Sequence, residues 1–208
     1  MLSLMILGPK KLLQLVKKIK LVENLDQREL TTPEGAGFDI RFGEAHKIVG
    51  GTAFLGVTHR ETPTIKTIIT YNRHSGKAEG RVQNQKKRFW SRSASQNDKI
   101  QTITIKPGEF YLLSSIETFN IPLNLTVNFK PRTTLFRSGL FLRTGNVAPG
   151  YHGKVTFAVK NEGPIPVTME LGCRFAHAQF FEVKGGGTQY KGQWQGGRVT
   201  TKRSEKQI

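Results

Sequence analysis

The chain has 208 residues, with 32 lysines and arginines against 15 aspartates and glutamates, for a formal net charge of +17. This length fits a single domain over 1–208, and the one cysteine, Cys173, excludes an intrachain disulfide and a cysteine-based zinc cluster. The apolar opening, residues 1–7, is far shorter than the roughly 20 residues of a membrane span. Its lysines follow it, whereas a secretory signal carries its charges first. We therefore expect a soluble, cytoplasmic protein without a membrane partner.

The positive charge is concentrated in three segments. Residues 1–20 carry +5, residues 72–100 carry +6 and residues 184–208 carry +5, which leaves +1 for the rest of the chain. A nearly neutral core with basic appendages predicts a polyanionic partner, because such appendages attract phosphate-rich molecules.

A basic helix is predicted over residues 8–25. Gly8-Pro9 places proline at the first helical position, and apolar residues recur at helical spacing from Leu12 to Val22. The lysines on the remaining surface are Lys10, Lys11, Lys17, Lys18 and Lys20. Two interpretations remain open: a helix docked on the core with a solvated lysine face, or a basic helix that binds a phosphate backbone or an acidic membrane.

From Gly35 onward the pattern changes to short β-rich segments separated by Gly, Pro and Asn. The predicted strands include Thr52–Val57, Ile65–Tyr71, Ile100–Ile105, Glu109–Ser114, Thr126–Phe129, Lys154–Val159 and Phe175–Val183. Many short strands with turns between them predict a mainly β fold, a β barrel or a jelly-roll-like sandwich.

Residues 72–99 form a basic insertion between two predicted strands. It is either a solvated loop or a nucleic-acid contact, because cations and aromatic rings occur together there, as in proteins that bind single strands. The candidate contacts are Lys86, Lys87, Arg88, Phe89, Trp90 and Arg92.

The tail, residues 184–208, is rich in glycine, which predicts either a mobile terminus or a lid that closes on a ligand. Lys202 and Arg203, near its end, join Lys10, Lys11, Lys17, Lys18 and the insertion as predicted nucleic-acid contacts.

Four segments, in this order, resemble the dCTP deaminase/dUTPase family, and the deaminase branch most. They are Gly35–Gly43, Lys106–Pro122, Arg132–Leu140, which reads Arg-Thr-Thr-Leu-Phe-Arg-Ser-Gly-Leu, and Asn146–Gly153. The resemblance covers most of the chain, apart from 72–99 and the last few residues. It implies a dUTPase-like β barrel, a homotrimer with sites shared between neighbouring subunits, and a pyrimidine deoxynucleoside triphosphate as ligand.

The resemblance also implies the residues of the nucleotide site. They are Arg132, Thr133, Thr134 and Arg137 for the phosphates, Asn146, Val147, Pro149 and Tyr151 for base and sugar, and Gln179, Tyr190 and Gln193 from the last strand and the lid. The forked donors of arginine suit phosphate oxygens. Mg²⁺ is expected only when a triphosphate is bound. Asp39 is the candidate residue for contact with Mg²⁺, through the bound Mg-phosphate.

Two positions depart from the family pattern. Ala148 stands where the dUTPase branch has an aspartate that activates water, and Ala158 stands where the deaminase branch has a glutamate that shuttles protons. General acid–base catalysis is worth about 10²–10⁴-fold, and an alanine methyl group transfers no proton. His152 is the best displaced base, although a lone histidine beside a turn is more often a solvated residue.

Two classes of function follow. The favoured hypothesis is a non-catalytic relative whose basic appendages bind RNA or a ribosome, with nucleotide regulation as a variant. The alternative is an active dCTP deaminase or dUTP diphosphatase that uses a relocated acid–base residue.

Overall fold

The computed structural model describes residues 5–71 and 100–206. The helices are α1 (Pro9–Ile19), α2 (Gln27–Thr31) and α3 (Thr133–Arg137). The strands are β1 (Val22–Glu23), β2 (Phe38–Gly50), β3 (Phe54–Leu55), β4 (His59–Glu61), β5 (Thr64–Thr70), β6 (Thr102–Ile105), β7 (Phe110–Asn120), β8 (Leu125–Pro131), β9 (Leu140–Arg143), β10 (His152–Asn161), β11 (Val167–Glu170), β12 (Arg174–Glu182) and β13 (Glu205–Lys206). The predicted mainly β fold with an N-terminal helix is confirmed.

One antiparallel sheet organises the molecule in the order β8-β12-β2-β7-β10-β9, with β1 on β7 and β5 on β2. Its two ends approach each other, because Val147 beyond β9 forms a bridge with Val127 of β8 through hydrogen bonds of 2.8 and 3.1 Å. The sheet is therefore a nearly closed barrel.

Aromatic side chains fill the interior of this barrel. Phe157 lies 5.0 Å, centroid to centroid, from both Phe129 and Phe175, in edge-to-face geometry. On β10, Val155, Phe157 and Val159 are buried and alternate with less buried neighbours, as expected of a strand with one face on the core. That alternation leaves Ala158 on the outer face.

The helix prediction was wrong at its C-terminal end. The helix α1 stops at Ile19 because Lys20 adopts a left-handed conformation with φ of 54°, and Val22 belongs to β1. Leu12 is fully buried, so the apolar side of α1 docks on the core, as the first of the two interpretations requires.

The strand prediction found most of the strands but not all of their bounds. The predicted Thr52–Val57 strand shrinks to β3, while β1, β4, β9, β11 and β13 were missed. The partners of β13 and β4 are far apart in sequence, with Glu205 opposite Arg60, and two or three residues carry no periodicity that could reveal such a pairing. The predicted basic insertion, 72–99, lies outside the described residues.

Among the described residues, no helix is long and apolar enough to cross a membrane.

Candidate functional site

The arginine that opens the predicted phosphate motif is held by a buried carboxylate. Asp39 on β2 is 1% exposed, and its Oδ2 accepts hydrogen bonds from Arg132 at 2.6 Å and Arg174 at 3.0 Å. Nδ1 of His177 lies 3.0 Å from Oδ1, and the Arg28 guanidinium lies 3.6 Å from Oδ2. We call Arg28, Asp39, Arg132, Arg174 and His177 the Asp39 cluster.

The electrostatics of the Asp39 cluster favours the charged forms of Asp39 and His177. Burial pushes the pKa of Asp39 upward, but the hydrogen bond with His177 and the charge of Arg132 outweigh it, and the net shift is downward. The same hydrogen bond to Asp39 raises the pKa of His177 above its ordinary value. The carboxylate is therefore the shared counter-ion of several cations.

This pairing bears on the predicted contact of Asp39 with a Mg-phosphate. Both carboxylate oxygens face cationic donors, and across residues 5–71 and 100–206 no cluster of three or more His, Cys, Asp or Glu could hold a metal ion. The geometry fits a counter-ion better than a direct ligand, and the Mg²⁺ contact stays a prediction.

The rest of the predicted phosphate motif lies on α3. Thr133, Thr134 and Arg137 are exposed there, while Leu135 anchors the helix in the core. Because these three residues are exposed, a ligand would reach them from outside the barrel.

The predicted base-and-sugar residues form the loop from Asn146 to Gly153. Asn146 is exposed, whereas Val147 is buried and both its N–H and its C=O bond to Val127. Tyr151 is buried, and burial raises its pKa to about 12. Its hydroxyl donates to the Lys154 carbonyl at 2.5 Å. These contacts favour a structural role for Val147 and Tyr151.

Within one protomer the two halves of the predicted site are separated along β8. The loop meets β8 at Val127, and Arg132 follows the strand's last residue, Pro131. Four residues of strand correspond to about 13 Å. Gln179 lies between these positions, opposite Asn128 on β8.

The two alanine positions have different surroundings. The strand neighbours of Ala158 are Leu112 on β7 and Arg143 on β9, and neither is a carboxylate. Ala148 lines a cavity of about 540 Å³ with Arg60 and residues 188–194 of the tail.

His152 does not approach Ala158. It begins β10, six residues before Ala158, which corresponds to about 20 Å along the strand. Its Nδ1 contacts Asn120, and its backbone N–H donates to Gln195. Among the predicted catalytic positions it lies near Ala148 only.

The tail packs against the loop, as a closed lid would. Tyr190 N donates to Pro149 O at 2.8 Å, and Gly196 N donates to His152 O at 2.7 Å. The tight approach requires glycine at Gly153, where an added Cβ would lie 2.3 Å from Gly197 N. Of the two predicted tail residues, Tyr190 packs edge-on against Tyr151 and Gln193 lines the cavity.

The predicted nucleic-acid contacts on α1 form a continuous exposed face. At 100° per residue, Lys10, Lys11, Gln14, Lys17 and Lys18 fall within an arc of about 120°, which we call the lysine face. These lysines form no ion pair with any described residue. Lys202 and Arg203 are also exposed, whereas Lys86, Lys87, Arg88, Phe89, Trp90 and Arg92 lie outside the described residues.

Sequence reasoning missed the partners that surround Asp39 and Ala148. Arg28 meets Asp39 from α2, Arg174 and His177 meet it from β12, and Arg60 reaches the cavity from β4. No spacing pattern links these positions, because strand pairing brings them together over long sequence separations.

Comparison with known proteins completes this description. A family model described as dCTP deaminase-like matches residues 6–183, which defines the class of protein. The chain belongs to the dCTP deaminase-like family.

Individual relatives match shorter parts of the chain than the family model does. A dCTP deaminase of Pyrobaculum arsenaticum is 33% identical over 103 residues, covering 50% of this chain and 58% of that protein. A "Probable deoxyuridine 5'-triphosphate nucleotidohydrolase" of Methanothermobacter thermautotrophicus is 34% identical over 91 residues, covering 44% of this chain and 60% of that protein. The chain thus spans less than two thirds of the length of these curated relatives.

A solved structure shares the fold. The crystal structure of 2'-deoxycytidine 5'-triphosphate deaminase from Agrobacterium tumefaciens aligns with a TM-score of 0.58 and 14% identity, over 88% of this chain and 49% of that one. At this identity the likeness shows the fold alone, and it confirms the predicted dUTPase-like architecture.

Proposed function

We propose that this chain is a non-catalytic member of its family that binds a large polyanion, RNA, either free or within a ribosome. The observation that carries the proposal is the lysine face of α1, which is exposed and without acidic partners among the described residues. Such a face attracts phosphate backbones and releases their counterions on binding.

The surroundings of the two alanines support the non-catalytic part of the proposal. Ala158 has Leu112 and Arg143 as strand neighbours, and the residues that line the cavity beside Ala148 include no carboxylate. Each missing general acid–base group is worth about 10²–10⁴-fold in rate, so ordinary turnover of a nucleotide should be small.

The separation of the two half-sites supports a homotrimer. Because Arg132 and the Val147 loop lie about 13 Å apart along β8, a pocket that used both would need part of a neighbouring subunit. A trimer would present three lysine faces and so strengthen the field that steers RNA toward the protein. A cytoplasmic location agrees with this role and stays a prediction.

The test is the salt dependence of RNA binding by the full chain. Anisotropy of a labelled single-stranded RNA is measured from about 50 to 200 mM salt, for the wild type and for a Lys10→Gln/Lys17→Gln variant. The variant should bind about tenfold more weakly at low salt, and its slope of log affinity against log salt should be shallower by about one to two.

The matched control carries Lys106→Gln and Lys130→Gln, which remove the same charge from exposed positions outside α1. It should weaken binding less than the α1 variant does. Equal losses in both variants would assign the binding to net charge alone. Failure of the wild type to bind RNA at about 50 mM salt would overturn the proposal.

The enzyme alternative is tested separately. The protein is incubated with dCTP and with dUTP in the presence of Mg²⁺, and dUTP, dUMP and pyrophosphate are measured. We expect no turnover above background. Steady product formation would support the alternative of an active enzyme with a relocated acid–base residue. A His152→Ala variant would then show whether His152 is that residue.

A further inference from the structure

The outer face of the sheet carries two exposed aromatic rings close to each other. Phe110 on β7 and Phe141 on β9 are both opposite Lys160 of β10, so these three residues form one row across the sheet. Phe110 is 38% exposed and Phe141 is 40% exposed. Single exposed apolar residues are normal, whereas two rings in one row form a surface. We call Phe110, Phe141, Arg143, Ala158 and Lys160 the aromatic face.

Positive charge accompanies the two rings. Arg143 is opposite Ala158 in the next row, and its guanidinium carbon lies 5.8 Å from the centroid of the Phe141 ring. It forms no ion pair with any described residue. Lys160 is exposed, and its one ion pair in the described part of the chain joins it to Glu162 at 3.8 Å. Such a solvated pair is weak, so the aromatic face attracts an anion.

Ala158 keeps the middle of the aromatic face free of negative charge. Its strand neighbours are Leu112 and Arg143. A carboxylate at this position would lie beside any phosphate that Arg143 attracts, and like charges placed together oppose association. The alanine that removes an expected acid–base group thus also makes this face suitable for a polyanion.

The spacing of the rings indicates which nucleic acid fits the face. Phe110 and Phe141 are two strands apart, which corresponds to about 10 Å, whereas stacked bases follow one another at about 3.4 Å. Rings at this distance contact bases that are splayed apart, as happens when proteins recognise single-stranded RNA. Aromatic rings stack on every kind of base. A duplex keeps its bases inside and offers the rings nothing to stack on.

We propose that the aromatic face binds single-stranded RNA, with two bases stacked on Phe110 and Phe141 and phosphates at Arg143 and Lys160. The inference rests on the proposed RNA function and deepens it. The lysine face of α1 attracts any phosphate backbone, whereas the aromatic face selects an unpaired strand. None of the nucleotide contacts that the resemblance implies belongs to the aromatic face.

Variants of the rings test the stacking. Phe110→Leu and Phe141→Leu keep an apolar side chain and remove the ring, and Phe54→Leu is the matched control, because Phe54 is exposed on β3 in a separate sheet. Anisotropy of labelled oligo(U) should show binding that is weaker by roughly fivefold or more in each aromatic-face variant. An oligo(A)–oligo(U) duplex should bind these variants as it binds the wild type. Equal affinities of all three variants for oligo(U) would overturn the proposal.

Position 158 tests the charge of the face. Ala158→Glu introduces a carboxylate beside Arg143, and we expect the affinity for oligo(U) to fall about tenfold or more. Ala158→Gln adds a side chain of the same size without a charge and should weaken binding much less. Equal losses in the two variants would assign the effect to size and overturn the placement of phosphate on this face.

Ultraviolet crosslinking of oligo(U) to the wild type locates the strand directly. Peptides that carry crosslinked uridine should include Phe110 or Phe141, and crosslinks confined to other peptides would overturn the proposal.

Sedimentation of the ring variants tests the competing occupant of this face, a second copy of the chain. Phe110→Leu and Phe141→Leu should sediment like the wild type. A changed oligomeric state would make the aromatic face a contact between subunits and would overturn the proposal.

The outcomes separate this inference from the proposed function. The Lys10→Gln/Lys17→Gln variant should bind both oligo(U) and the duplex more weakly, whereas the ring variants should lose affinity for oligo(U) alone. Ring variants that bind oligo(U) normally would overturn the aromatic face and leave the lysine face in place. An α1 variant with unchanged binding would overturn the lysine face alone, and a protein that binds neither RNA would overturn both.

Discussion

The two basic regions of this protein differ in what neutralises them. In the Asp39 cluster, Arg132 and Arg174 both donate to one buried carboxylate, and His177 lies within hydrogen-bond distance of it. On the lysine face of α1, Lys10 and Lys17 have no acidic partner among the described residues.

This difference shows that a positively charged residue counted in the sequence can have either of two roles. Cations that share a buried carboxylate compensate its charge, and the loss of one partner leaves a charge without compensation. Cations on a solvated helix face contribute little to stability and remain available to a ligand. The arginine expected to bind phosphate lies in the first group, whereas the α1 lysines, which were predicted as nucleic-acid contacts, lie in the second.

The largest expected effect is at the centre of the Asp39 cluster. Asp39→Ala removes the shared counter-ion of Arg132, Arg174 and His177, and we expect the free energy of unfolding to fall by about 3 kcal/mol or more, measured by urea denaturation. Glu162→Ala is the control, because this exposed acid pairs with Lys160 only at 3.8 Å. It should change stability by about 0.5 kcal/mol or less. Similar losses in both variants would contradict the contrast between buried and exposed pairs.

The next effect concerns the attachment of the tail. Gly153 has φ of 139°, and an added Cβ would lie 2.3 Å from Gly197 N, so Gly153→Ala should push the tail off the loop at a local cost of about 1–3 kcal/mol. Limited proteolysis should then cleave residues 184–206 at least several-fold faster than in the wild type. Gly145→Ala, with no atom within 4 Å of its Cβ, should leave the cleavage rate unchanged. An unchanged rate in Gly153→Ala would show that the tail is not held through this contact.

The third prediction concerns the pH dependence of stability, to which two histidines contribute with opposite signs. Because the pKa of His177 is raised in the folded protein, the protonated form of His177 stabilises the fold. This contribution is complete below about pH 6.5 and is lost as the pH rises through the raised pKa. Burial lowers the pKa of His46, whose ring nitrogens contact Thr67 and Ser114. Its contribution is therefore complete above about pH 6.5 and is lost as the pH falls through the lowered value.

Urea denaturation at a series of pH values separates these two contributions. His177→Gln should flatten the loss of stability on the alkaline side of about pH 6.5, and His46→Gln should flatten the loss on the acid side. If each substitution changed the opposite side, the assigned directions of the pKa shifts would be wrong.

The smallest expected effect is on the lysine face. Lys17→Ala removes a charge that has no partner in the described residues, so the free energy of unfolding should change by about 0.5 kcal/mol or less, again by urea denaturation. A loss above about 1 kcal/mol would mean that Lys17 forms an ion pair in the folded protein. It would then contradict the proposal that the lysine face is free to bind RNA.

Local patterns in the sequence predicted much of the fold. Proline after Gly8 marked the start of α1, and β-rich segments bounded by turn residues marked most of the strands, because side-chain periodicity and turn chemistry act over a few residues. The end of α1 was missed, since the left-handed Lys20 is stabilised by its capping bonds to Leu15 and Val16 and has no residue-type signal of its own.

The candidate site was predicted only in outline. The motif around Arg132 and the loop around Ala148 were identified from their residues, but the cations that share Asp39 with Arg132 were not. Arg28, Arg174 and His177 lie 11, 135 and 138 positions from Asp39, and only the helix and strand packing brings them together.

The sequence by itself determined that the chain is a mainly β protein of the dCTP deaminase-like family, with alanines at Ala148 and Ala158 and its positive charge in appendages. These properties depend on residue types and short spacings. The tertiary structure decided which cations are neutralised, that the tail closes over its own loop, and that Arg60 and Gln193 line one cavity. Those outcomes depend on long-range strand pairing, because a charge becomes available or neutralised only through neighbours that are distant in sequence.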